Sequence, residues 1–172
     1  MAKHKPTDPA EQPGNQLINP VKAEFLPLAP MLDPDYAGPS QLSAVDLTTR
    51  EGKRVVLNSK TRCTFLADDL QGRVFRLHAW YAERRHFKDD ATGEDRIGVS
   101  VTLIDPDGQT VRFGSEAVMR ALDDIRSLYG NGPWKEPLFL RIDKYKTRNG
   151  RQSYAIQEID PDSVDADEKT WK

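Results

Sequence analysis

The sequence predicts an all-β domain with one helix, in the order strand, strand, strand, helix, strand, strand. Three observations carry that prediction. Two segments, Val74 to Ala82 and Ile97 to Ile104, alternate apolar and polar residues with the period of two that a half-buried strand requires. The stretch after Ser115 repeats its apolar residues at helical spacing. Leu138 to Ile156 reads as two strand arms meeting at Asn149-Gly150, a pair that tolerates the positive φ of a tight turn.

Residues 1–42 form a Pro-rich extension, holding eight of the twelve prolines and no sustained periodicity. Such a segment buries too little apolar surface to offset its ordering entropy, so it is expected to be disordered or draped over the domain. Its short apolar pieces, Phe25-Leu26 and Met31-Leu32, are the places where it would dock on the domain or on a partner. The domain itself spans 43–159. Val55 to Leu57 and Cys63 to Leu66 look like short added strands, the first preceded by a turn at Glu51-Gly52. In the next strand Phe75, Leu77 and Ala79 face inward, with Arg76, His78 and Trp80 outward. Then Ile97, Val99, Val101 and Leu103 point inward and Gly98, Ser100 and Thr102 outward. Asp105-Pro106-Asp107-Gly108 is a turn by its chemistry, and Val111 and Phe113, with Arg112 outside, complete a three-stranded meander.

Ser115 is placed to cap the helix, with Glu116 in its first turn and Gly130 past its end. Val118, Ala121, Leu122, Ile125, Leu128 and Tyr129 make its apolar side, leaving Arg120, Asp123, Asp124 and Arg126 to water. A Gly-Pro loop containing Trp134 leads to the last hairpin. Residues 160–172 read as an acidic tail: from Glu158 to Lys172 there are six acids in fifteen residues, with Trp171 near the end.

The 172 residues suffice for one ordinary domain with tails, and 30% charged with 37% hydrophobic content is that of a soluble chain. The net charge of -2 conceals an asymmetry. Arg50 to Gln157 carries 20 lysines and arginines against 15 acids, whereas the flanks hold 5 bases and 12 acids. A basic middle between acidic ends suits a nucleic-acid binder, the bland alternative being solvated charge with no partner. Cys63 is the only cysteine, which excludes an intrachain disulfide and a cysteine-rich zinc site and fits a small buried hydrophobe in a reducing compartment. No stretch approaches the roughly 18 apolar residues of a membrane span, and no apolar run follows the N-terminal cations. A cytoplasmic location, in a bacterial or phage-infected cytosol, is the expectation.

The element order is similar to the OB-fold, a five-stranded Greek-key barrel with a helix between its third and fourth strands. Residues 73 to 159 carry the likeness. The KYKTRNGRQSYAI hairpin and the acidic C-terminal tail resemble small phage-type or bacterial single-stranded DNA-binding proteins. The resemblance implies an OB-like barrel, single-stranded DNA as partner with RNA as an alternative, no cofactor, room for a homo-oligomer, and replication proteins recruited through the tail. In bacterial relatives that tail ends in an acidic-hydrophobic tip, whereas here Lys172 follows Trp171.

On this placement, Arg76, His78 and Trp80 share an outer face with the small residues Ser100 and Thr102 and with Arg112. An aromatic beside small residues leaves room for a flat base, and arginines reach phosphates or stack by their guanidinium planes. The competing reading packs Trp80 under the 83–95 loop or the N-terminal tail. Arg84, Arg85, His86, Phe87 and Lys88 open that loop, which would border an OB groove, although DDATGED then partly cancels its field. Arg141, Lys144, Tyr145, Lys146, Arg148, Arg151 and Tyr154 make the final hairpin a cationic, aromatic finger. The alternatives there are a cross-strand Tyr145–Tyr154 pair and lysines that discourage edge pairing.

Catalysis finds no constellation. Gly93 and Gly98 have Walker-like spacing, but Val99 stands where the phosphate-binding lysine belongs. His4, His78 and His86 lack a matching ligand set, Asp68-Asp69 and Asp123-Asp124 are adjacent pairs whose side chains diverge, and Ser43, Ser100 and Ser115 lack nucleophile context. The expectation is a non-enzyme that binds single-stranded DNA without strong sequence preference, in replication or recombination. The alternative is an OB-like protein-interaction or virion-associated module. If the outer face is as drawn, Trp80→Ala weakens oligonucleotide binding on the order of tenfold, measured by titration.

Overall fold

A computed structural model describes residues 25–89 and 92–164. His4, the extension through residue 24 and the tail from residue 165, Trp171 included, lie outside the described residues. The order is β1 (Gln41–Ser43), α1 (Arg50–Thr61), β2 (Arg73–Leu77), β3 (Ala79–Lys88), β4 (Asp95–Ile104), β5 (Thr110–Phe113), α2 (Glu116–Tyr129), β6 (Leu138–Lys146) and β7 (Gln152–Glu158). Two antiparallel sheets result, β1-β3-β4-β5 and β2-β6-β7. The chain is mostly β, as expected, but with two helices rather than one.

The stretch expected as one strand, Val74 to Ala82, divides at His78. Its N–H donates to the Ile104 carbonyl at 2.9 Å, and its own carbonyl accepts from the Trp134 N–H at 2.8 Å. Its Nδ1 lies 2.7 Å from the Trp134 carbonyl oxygen. One residue is thereby tied to both β4 and the loop before β6, and the alternation slips by one. Phe75 and Leu77 face inward opposite Leu140 and Leu138, whereas beyond the break Trp80 and Ala82 face inward opposite Leu103 and Val101. A one-residue slip moves a strand's side chains to the other face. Trp80, expected outside, is therefore only 1% exposed.

α1 replaces the expected strand at Val55 to Leu57 and the turn at Glu51-Gly52. Thr49 Oγ1 caps it by accepting from Gly52 N–H at 3.0 Å, and Glu51 complements the positive end of the helix dipole. A Cβ on Gly52 would meet the Asp46 carbonyl oxygen at 2.1 Å, so glycine permits the close approach. Gly52, Val56 and Ser59 form the buried side at helical spacing, while Leu57 stays 64% exposed. Cys63 to Leu66 is not a strand either. Phe65 makes one isolated bridge to Val111, and a 3-10 turn follows at Ala67–Leu70.

α1 covers the outer face of the first sheet, where Tyr81, Thr102 and Arg112 stand in register. The Ser59 carbonyl accepts from Arg112, while Lys60 Nζ reaches Glu83 at 2.7 Å and lies 5.2 Å from the Tyr81 ring centroid. Thr102, expected outward in water, is buried for this reason. The opposite face is covered by α2 and by the segment from Phe25, whose Leu28 and Met31 are fully buried. The expected docking pieces thus pack on the domain itself. Arg126, expected in water, is 3% exposed between the Trp80 and Phe25 rings, at 4.3 and 4.7 Å. It donates to Asp123 at 2.7 Å, Asn131 at 3.1 Å and the Leu26 carbonyl at 2.9 Å. Each of the three guanidinium nitrogens donates, which is what makes its burial tolerable. Leu128 and Tyr129, expected on the apolar side, are exposed, because the buried face of α2 runs through Val118, Met119, Leu122 and Arg126.

Because β2 and β3 are one path bent at His78, the sheets β1-β3-β4-β5 and β2-β6-β7 are joined through it. β5 and β7 are not paired with each other; Phe113 and Tyr154 meet edge-on between them at 5.2 Å. Leu70, Phe75, Leu103, Leu140 and Ile142 fill the interior. Trp80→Ala is expected to lower unfolding stability by about 3–5 kcal/mol in a denaturant titration, the cost of a large core cavity. A loss below about 0.5 kcal/mol, the range for surface changes, would contradict this burial.

Candidate nucleic-acid interface

With both faces of the first sheet covered, the ends of two hairpins each present an exposed aromatic ring beside exposed cations. The first joins β3 to β4. Phe87 is 50% exposed, and it shares a face with Arg85, Arg96 and Gly98. A Cβ on Gly98 would come within 2.9 Å of the Phe87 ring, so the glycine makes the seat for that aromatic. Arg85 donates twice to Glu83, at 3.0 and 2.8 Å, and Arg96 pairs with Asp89 at 3.0 Å. These are exposed ion pairs, worth about 0–1 kcal/mol, and phosphates can replace their carboxylates at little cost. His86 and Lys88 are also exposed.

The second hairpin joins β6 to β7. Its turn closes through Thr147 N–H to the Arg151 carbonyl at 2.7 Å and Gly150 N–H to the Thr147 carbonyl at 2.8 Å. Gly150 adopts φ 74°, the left-handed conformation that the Asn-Gly signal anticipated. Lys146, Arg148 and Arg151 are exposed, and their side chains make no hydrogen bond or ion pair among the described residues. Register pairs Lys144 with Tyr154 and Tyr145 with Ser153. The two tyrosines therefore stand on opposite faces, which rules out their pairing across the strands. Tyr145 is 45% exposed, whereas Tyr154 packs against Phe113 and donates to Asp68 at 2.8 Å. Burial and the bond to Asp68 push the Tyr154 phenol above its ordinary pKa, so it stays a donor at neutral pH.

The remaining predicted residues lie among internal partners. Trp80 donates from Nε1 to the Asn131 carbonyl at 2.8 Å inside the core. Arg84 clamps the segment from Met31, donating to the Met31 carbonyl at 2.9 Å and the Asp33 carbonyl at 2.8 Å. Arg76 is paired with Asp105 and Asp107, Arg112 is held by α1, and His78 maintains the bend. Arg141 lies half-buried on the outer face of β6, opposite Val74 and Gln157. Sequence reading missed Arg96, Gly98 as a ring seat, and Asp68. Arg96 was findable, since hairpin register sets it opposite Phe87; Asp68 carried no local signal.

A cleft of about 800 Å³ runs between α1 and the β4–β5 turn, lined by Arg54, Asn58, Arg62, His78 and Asp105. Burial pushes the Asp105 carboxyl above its ordinary pKa. Among the described residues no group of three or more His, Cys, Asp or Glu is arranged to hold a metal, and no helix is long and apolar enough to cross a membrane.

Residues 40–158 match the family model described as phage single-stranded DNA-binding protein. No curated protein and no solved structure matches the chain. If the exposed rings are base platforms, Phe87→Ala or Tyr145→Ala weakens oligothymidylate binding by about 1–3 kcal/mol. Equilibrium titration reads the change, with the denaturation midpoint expected to hold in both variants.

Proposed function

We propose that this chain, which belongs to the phage single-stranded DNA-binding protein family, binds the strand without strong sequence preference through the ends of its two hairpins. One observation carries the reading: each end presents a half-exposed aromatic ring beside exposed cations, Phe87 with Arg85 and Arg96, and Tyr145 with Lys146, Arg148 and Arg151. Rings take unpaired bases of any identity, and cations take phosphates, so the pair of groups selects single strands over duplex. The two joined sheets correspond, on this reading, to an OB-like barrel left open between β5 and β7. In that fold the loops after the first and fourth strands border the groove, and those positions correspond to the β3–β4 and β6–β7 hairpins. α1 covers the outer face of the first sheet, which leaves the hairpin ends as the binding surface.

The role is coating of single-stranded intermediates in replication or recombination within the cytosol of an infected bacterium. The acidic stretch from Glu158 to Lys172 recruits replication proteins, and the chain acts without catalysis. Titration with single-stranded and duplex oligonucleotides at several salt concentrations is the test. Affinity for single strands should fall with salt, and replacing Lys146, Arg148 and Arg151 together by Gln should flatten the log–log slope by about 2, at roughly 0.7 per phosphate contact. Tighter duplex binding would remove the stacking argument. No affinity for either strand form would leave the protein-interaction module as the better reading.

A further inference from the structure

The contact between Asp68 and the second hairpin joins two donors and one acceptor from separate elements. Lys144 Nζ donates to both Asp68 carboxylate oxygens, at 2.9 and 3.0 Å, and Tyr154 Oη donates to Oδ1 at 2.8 Å. The donors are fixed: Lys144 and Tyr154 are cross-strand partners in β6 and β7, and the Tyr154 ring rests on Phe113. The acceptor rides on the Ala67–Leu70 turn, whose anchor is the fully buried Leu70 and whose ends are held by Phe65 N–H to the Thr110 carbonyl and Gly72 N–H to the Ile142 carbonyl, both at 3.0 Å. The Asp68 side chain itself is largely exposed, so it can leave its donors without unseating that backbone.

A carboxylate and a phosphodiester each offer two anionic oxygens sharing one negative charge, and an ammonium with a phenol serves either. We infer that Lys144 and Tyr154 form a phosphate cradle that Asp68 fills in the free protein, so that an incoming strand displaces an internal carboxylate. This rests on the single-strand reading above. The hydrogen bonds from Lys144 and Tyr154 hold the Asp68 carboxyl below its ordinary pKa, so the occupant is anionic at neutral pH. The device lowers affinity for isolated phosphates while leaving the cradle open to a strand already held at Tyr145 and the turn.

The test compares wild type, Asp68→Asn, Lys144→Gln, the double variant, and Asp124→Asn as an exposed control with the same charge change. Each is titrated with oligothymidylate across a salt series. Asp68→Asn should bind about two- to fivefold tighter than wild type at low salt, the range of an exposed ion pair. Lys144→Gln should flatten the salt slope by about 0.7, one single-strand phosphate contact. In the Lys144→Gln background, the gain from Asp68→Asn should disappear. Asp68→Asn binding no tighter than Asp124→Asn, or an unchanged slope in Lys144→Gln, overturns the cradle while wild-type binding stands. Wild type that binds no oligothymidylate overturns the single-strand reading and the cradle with it.

Discussion

The bend at His78 is the constraint on which the rest of the structure depends. Its backbone is shared between Ile104 on one side and Trp134 on the other, so one strand path serves two sheets. Before the bend, β2 pairs with β6; after it, β3 pairs with β4. Without the break, the alternation of Val74 to Ala82 would continue unchanged and turn Trp80 toward α1. Instead Trp80 enters the core and becomes the plate on which Arg126 lies, and Arg126 in turn fixes the segment from Phe25. A buried guanidinium is costly unless its donors are met, and here Asp123, Asn131 and the Leu26 carbonyl meet them.

The same bend decides where a ligand has access. α1 lies on one face of the first sheet and the N-terminal segment with α2 on the other, which removes the broad open face that a bare barrel would offer. The ends of the β3–β4 and β6–β7 hairpins stay exposed beside this cover. Their ion pairs are exposed and individually weak, whereas the pairs of Arg84 and Arg126 are knitted into backbone carbonyls. The cations therefore divide by environment into structural and exchangeable sets. Arg85, Arg96, Lys146, Arg148 and Arg151 belong to the second.

Much of the fold was legible in the sequence. Period-two alternation located β4 and β5, helical spacing with Gly130 located α2, and Asn149-Gly150 located the last turn, because each rests on local geometry. Ser115 stands at the start of α2, but its hydroxyl meets Ser153 at 3.2 Å instead of capping a helix N–H. What escaped was non-local. The slip at His78 changes the phase of the alternation without altering its composition, so Trp80 was assigned to the wrong face. Val55-Val56-Leu57 looks like a strand in isolation, yet the Thr49 cap and the Asp46–Gly52 contact make it helix. Arg126 was placed in water by residue type and Thr102 outward by alternation, before the covering elements were known. Asp68 pairs with a lysine 76 positions away, a relation no local pattern reveals. The exposure of Phe87, Tyr145, Lys146, Arg148 and Arg151 was legible because tips of hairpins are exposed whatever surrounds them.

Photocrosslinking the full chain to an oligonucleotide bearing 5-iodouracil, with the adducts mapped by mass spectrometry, tests the central claim most directly. Adducts confined to the peptides carrying Phe87 and Tyr145 are the result expected if the hairpin ends hold the bases. Adducts concentrated on α1, or on the peptide of the Ala29–Leu32 segment, with the hairpin ends unmodified, would contradict it.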